Sequence, residues 1–206
     1  MKIAIIAANG RSGREMVATA LSAGHMVRAG VLGPNTFPDH EHLEVVPCDA
    51  TNQSQLGQLV SGCDAVVSLI GHVRGSDPNV QTTAMKLLIP VLQKVGIRRV
   101  VSLTGTGVRQ PDDRIALIDY PFNLAISIID SGRVKDGIMH AKELQSSGLD
   151  YSILRVLKLT NGRLQKFSLK EHGPTRLFTS RKTVAAAVLQ VLAEGSFKQQ
   201  MPIIGT

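Results

Sequence analysis

The chain has 206 residues, 43% hydrophobic and 19% charged, which excludes intrinsic disorder and suffices for one complete core. Its net charge is +7, but no run of Lys or Arg forms a tail, and aromatic residues make up only 3%. Base stacking needs more, so nucleic acid is not an expected partner.

Lys2 to Arg14 open the chain with an apolar run, Ile3-Ala4-Ile5-Ile6-Ala7, that predicts a strand buried on both faces. The run breaks at Asn9-Gly10 and Gly13, and a helix follows with Met16, Val17, Ala20 and Leu21 on one stripe and Gly24 as its stop. Strand, glycine turn and helix put free backbone N–H groups and a positive helix end at the turn, where a diphosphate fits. The spacing Ala7-x-x-Gly10-x-x-Gly13 carries alanine in the first place, and the candidate cofactor-binding residues are Ala7, Asn9, Gly10, Arg11, Ser12 and Gly13. A purely structural turn would use the same glycines.

A second strand is predicted over about 26–32, followed by a Gly33-Pro34-Asn35 loop. The residue that reads the adenosine ribose usually stands there, yet Leu32, Gly33 and Asn35 are uncharged. Arg11 and Arg14 are the alternatives for a ribose phosphate, with Arg11 the better placed because it lies inside the turn. Leu43 to Pro47 predicts a third strand, ending in Cys48-Asp49-Ala50-Thr51. Asp49 there is a candidate acceptor for the adenine amino group, beside the Ala50 backbone, or else a cap for the helix carrying Leu56, Leu59 and Val60.

Asp64 to Ile70 predicts a fourth buried strand ending in Gly71-His72, with His72 near the nicotinamide ribose or the substrate. A helix over about 82–95 contains Pro90, which predicts a kink. A fifth strand, Val100 to Leu103, ends at Thr104, whose hydroxyl is a candidate partner for a reacting carbonyl. Residues 108–133 are irregular and read as a lid or a dimer surface. A helix over 134–147, a strand over 151–156, a helix over 183–194 and a short strand over 201–204 complete a doubly wound parallel sheet of six to seven strands with helices on both faces, a single domain over 1–206.

Cys48 and Cys63 supply neither a disulfide framework nor metal-ligand spacing. No apolar run approaches the roughly 20 residues of a membrane helix, and the opening strand leaves no room for a signal segment. A cytoplasmic protein without membrane contact is expected.

Several stretches together resemble one family. KIAIIAANGRSG is similar to the opening of atypical short-chain dehydrogenases/reductases of the NAD(P)H-binding, NmrA-like and flavin reductase (biliverdin-IX-beta reductase) group. The segments at 47–51, 64–71, 147–155 and 178–185 resemble that group's motifs in the same order, so the likeness spans essentially the whole chain. It implies a single Rossmann domain that binds a nicotinamide dinucleotide, NADP(H) favoured and NAD(H) as the alternative. The sequence departs from the pattern at Leu32, where the group carries an arginine, and at Ile138, where ordinary short-chain dehydrogenases carry the catalytic tyrosine. Lys142 stands in the lysine place of that Tyr-x-x-x-Lys pair, and the resemblance gives it the ribose or catalysis.

The expected activity is NAD(P)H-dependent reduction of a small planar acceptor (a flavin, a quinone or a conjugated carbonyl), with Thr104, His72 and Lys142 as catalytic candidates and Gly71 close to the cofactor. The alternative is a non-catalytic, NmrA-like protein that senses the dinucleotide. A homodimer is compatible with either.

Overall fold

The computed structural model describes residues 1–73, 75–110, 113 and 131–205. In chain order the elements are β1 (Lys2–Ile6), α1 (Arg11–Ser22), β2 (Met26–Val31), β3 (Leu43–Pro47), α2 (Gln53–Val60), β4 (Ala65–Ser68), α3 (Val80–Val95) and β5 (Arg99–Gly105). They continue with α4 (Ser131–Ser146), β6 (Asp150–Val156), β7 (Lys158–Thr160), β8 (Ser168–Lys170), β9 (Phe178–Ser180), α5 (Arg181–Glu194) and β10 (Ile203–Gly205).

Eight strands form the main sheet in the order β3-β2-β1-β4-β5-β6-β10-β8, and β7 and β9 pair separately in parallel. The six to seven parallel strands expected from the sequence are thus corrected: the sheet has eight, and β8 runs antiparallel to β10. The additional strands are three residues long and largely half-exposed, so they lack the apolar run that makes a buried strand legible.

Alternation along β1 divides the core. Ala4 and Ile6 pack on the side of α2, α3 and α4, whereas Ile3 and Ile5 pack on the side of α1 and α5. Both faces are covered, which is why β1 and β4 read as continuous apolar runs rather than alternating ones. The order reverses at β1, where β2 and β3 lie on one side and β4 and β5 on the other. A cleft outside the carboxyl ends of the strands is expected at that reversal.

Proline at position 90 does not end α3, which continues through it as one helix from Val80 to Val95. Pro90 is exposed, so the carbonyl it leaves unpaired on the preceding turn faces water. The 108–133 segment, expected to be a lid or dimer surface, lies mostly outside the described residues. Its described start is anchored: Val108 is buried, and Asp113 pairs with both terminal nitrogens of the buried Arg155. Among the described residues, no helix is long and apolar enough to cross a membrane.

Candidate functional site

A cleft of about 740 Å³ opens at the carboxyl ends of the central strands. Its floor begins with the turn between β1 and α1. Ala7 adopts φ 59°, the left-handed region that normally selects glycine. The Gly10 amide closes the turn by donating to the Ala7 carbonyl at 3.0 Å. Gly13 lies beneath, where a Cβ would stand 2.2 Å from the Ala7 carbonyl oxygen and 2.5 Å from that of Ala8. Its role is therefore to let α1 approach β1, and it does not itself line the cleft.

The first turn of α1 is open. Gly10 offers no side-chain cap, the turn contains no acid, and the N–H groups of Arg11, Ser12 and Gly13 have no partner among the described residues. Two other helices are closed locally: Asn52 Oδ1 accepts from the Gln55 amide in α2, and Ser180 Oγ from the Thr183 amide in α5. Unfilled amides at a positive helix end are what a diphosphate requires. Arg11 and Arg181 also face this end of the cleft. Arg181 donates to Asn161 Oδ1 at 2.7 Å, and burial followed by the nearby Arg11 charge lowers its pKa. Among the described residues, the cleft's Asp, Glu, Lys and Arg side chains comprise four cations (Arg11, Arg133, Lys158 and Arg181) and one acid, Asp49. That balance suits an anionic occupant.

At the adenosine end Asn9 Nδ2 donates to the Leu32 carbonyl at 2.8 Å, tying the glycine turn to the end of β2. Arg14 rather than Arg11 reaches the following loop: its Nε donates to Asn9 O at 3.1 Å, its Nη2 to Thr36 Oγ1, and its guanidinium stands 5.4 Å from the Phe37 ring centre. Leu32 is 65% exposed and contributes a lining side chain only. Asp49 and Ala50 line the cleft as expected. Asp49 accepts from both the hydroxyl and the amide of Thr51, which hold its carboxyl below the usual range, and Asn52 serves as the α2 cap.

At the opposite end, Thr104 closes β5 and is 6% exposed. Its hydroxyl has no hydrogen-bond partner among the described residues and lines the cleft. Gly137 of α4 makes room for it, because a Cβ there would stand 2.8 Å from Thr104 Oγ1. Gly71 and His72 line the same region. His72 Nε2 lies 2.9 Å from Asp136 Oδ2 and 3.0 Å from the Pro78 carbonyl. Behind them Ser102 Oγ and His140 Nε2 are 2.8 Å apart, fully buried. Burial depresses the His140 pKa to about 4, against a smaller opposing effect of Asp136, so its imidazole is neutral at ordinary pH.

Lys142, expected at the ribose or in catalysis, is exposed on α4 and is not among the residues that line the cleft. Ile138, in the tyrosine place, packs against the core. Sequence reading missed Arg181, Gly137, Asp136 and His140. The one available signal was that Asp136 and His140 are four apart, on one face of a helix.

The profile of the NAD(P)H-binding family matches residues 7–195, and the chain belongs to that family. Solved structures share its fold at low identity. A short-chain dehydrogenase/reductase from Veillonella parvula, in complex with NADP, superposes with TM-score 0.79 at 21% identity, covering 100% of this chain and 93% of that one. ChuY, an anaerobillin reductase from Escherichia coli O157:H7, superposes with TM-score 0.77 at 20% identity, covering 99% and 96%. A putative NAD-dependent epimerase/dehydratase from Bacillus halodurans gives 0.78 at 18% identity, covering 100% and 92%.

Proposed function

We propose that the protein is an NAD(P)H-dependent reductase of a small planar acceptor: a flavin, a quinone or a conjugated carbonyl. The observation that carries this reading is the uncapped first turn of α1, set in a cationic cleft whose far end presents the Thr104 hydroxyl, without a hydrogen-bond partner among the described residues. Arg11, Ser12 and Gly13 amides would hold the diphosphate, and Asp49 and Ala50 the adenine. Arg14, fixed on the loop after β2, would favour NADP(H) over NAD(H) by meeting the ribose phosphate. Bound in this way, the reduced nicotinamide supplies a hydride. Thr104 then orients the acceptor by donating its hydroxyl, and the apolar strand ends limit water around it. ChuY, which shares the fold, is itself a reductase, and that supports this reading.

A second reading, a dinucleotide-sensing protein without turnover, draws on Ile138 packing against the core where ordinary short-chain dehydrogenases carry their catalytic phenol. One experiment separates the two. Purified protein is mixed with NADPH or NADH and a panel of flavins, quinones and enones. Steady cofactor oxidation with one acceptor is expected; tight cofactor binding without oxidation across the panel favours the sensor.

A further inference from the structure

Asp136 is wholly buried on α4, yet its carboxylate closes the first turn of a different helix. The Gln81 amide donates to Oδ2 at 3.0 Å, the Thr82 amide to Oδ1 at 2.9 Å, and the Thr82 hydroxyl also to Oδ1. Capping explains those three contacts. A carboxylate offers about four acceptor sites, and the remaining one is directed at His72 Nε2, 2.9 Å away, in a side chain that is 11% exposed and lines the cleft. Both neighbours of Nε2, the Asp136 carboxylate and the Pro78 carbonyl, are pure acceptors, so Nε2 carries the hydrogen. Among the described residues nothing bonds Nδ1, which leaves it as the ring nitrogen available to a molecule in the cleft.

We propose that His72 is the proton donor to the reduced acceptor and that Asp136 is its positioning residue, fixing the ring with Nδ1 outward. The proposal rests on the reductase reading. The reduced nicotinamide dinucleotide is the reductant, giving two electrons as hydride. The acceptor's oxygen or nitrogen, left anionic by that hydride, takes the proton from Nδ1: the N–H bond breaks, an O–H or N–H bond forms, and neutral imidazole remains with its Nε2 hydrogen on Asp136. Water restores the Nδ1 proton. Such a group fills the role of the phenol that ordinary short-chain dehydrogenases carry, since the aliphatic Ile138 in that place has no proton to donate. The capping amides hold Asp136 in place whether or not a ligand is bound, so the ring is aligned beforehand.

The test uses His72→Gln, Asp136→Asn and the double variant of the full chain, with NADPH and the best acceptor of the panel. Each single variant is expected to lower kcat by about 10²-fold while leaving the NADPH Kd within a factor of two. The double variant is expected to be no slower than His72→Gln, since Asp136 acts through His72. Additive losses, or an unchanged kcat in His72→Gln, would overturn the assignment. Nitrogen-15 NMR of histidine-labelled wild-type protein gives a readout free of turnover. The neutral His72 ring should carry its hydrogen on Nε2, and a predominant Nδ1–H form refutes the positioning by Asp136. Failure of the reductase reading shows differently: no acceptor is reduced although NADPH binds, and the tautomer still decides whether Asp136 holds the ring.

Discussion

Two helix N-termini point toward the same cleft and are treated in opposite ways. The first turn of α1 has no side-chain cap, no acid and, among the described residues, no partner for its amides, with cations around it. The first turn of α3 is filled by a buried carboxylate from α4 that accepts two amides, a hydroxyl and an imidazole. Both ends carry the positive pole of a helix dipole. The difference lies in who supplies the anion: the protein at α3 and, on the proposed function, a bound dinucleotide at α1. An uncapped N-terminus forgoes about 1 kcal/mol of capping energy, which is recovered only when an anion arrives. Binding energy is thus stored at α1 and already used at α3 to align a side chain.

The largest effect is expected where the open end depends on backbone contact. Gly13→Ala places a methyl group against two carbonyl oxygens that cannot yield, and should lower unfolding free energy by about 3 kcal/mol in denaturant titration. Retention of wild-type stability would mean that α1 stands farther from β1 than described. A similar magnitude is expected beside the closed end, but only in acid. His140 stays neutral in the folded chain down to about pH 4, whereas the unfolded chain binds its proton near 6.5. Between those values the unfolded state holds more protons, so stability should fall by about 3 kcal/mol as pH drops from 6.5 to 4, and His140→Gln should flatten that slope.

A smaller change sharpens the ligand side of the comparison. Arg14→Ala should weaken NADPH binding by about 2 kcal/mol in calorimetry and leave NADH nearly unaffected, as loss of a charged hydrogen bond predicts. Arg11→Ala should weaken both alike. The smallest effect is a gain: Ala7→Gly relieves the left-handed conformation at φ 59° and should raise stability by about 1 kcal/mol. An equal or lower melting temperature would place the strain elsewhere.

The α1 end was legible in the sequence because everything it needs is local. An apolar strand, two glycines three apart and an amphipathic stripe lie within about twenty residues, and each has its own spacing signature. The stop at Gly24 read equally well, since it takes the left-handed conformation, φ 76°, just past α1. The α3 end was not legible. Asn79, the residue a local capping rule inspects, makes no cap hydrogen bond; the carboxylate that does the work comes from 54 residues away. Lys142 was read from a motif whose tyrosine this chain lacks; the side chain is exposed on α4, and the face of α4 turned toward Thr104 carries Gly137. Arg11 lines the cleft as a residue inside the turn, while Arg14 bonds the loop after β2, a contact set by the direction in which a long side chain leaves the helix and not by its place in the turn.

The most direct measurement follows backbone amide resonances of the labelled protein during titration with NADPH. The amides of Gly10, Arg11, Ser12 and Gly13 should move most, with those of Gln81 and Thr82 nearly still because Asp136 already occupies them. Binding that leaves the α1 amides unmoved, or shifts the α3 amides as strongly, would contradict the claim that one end was left open for the dinucleotide.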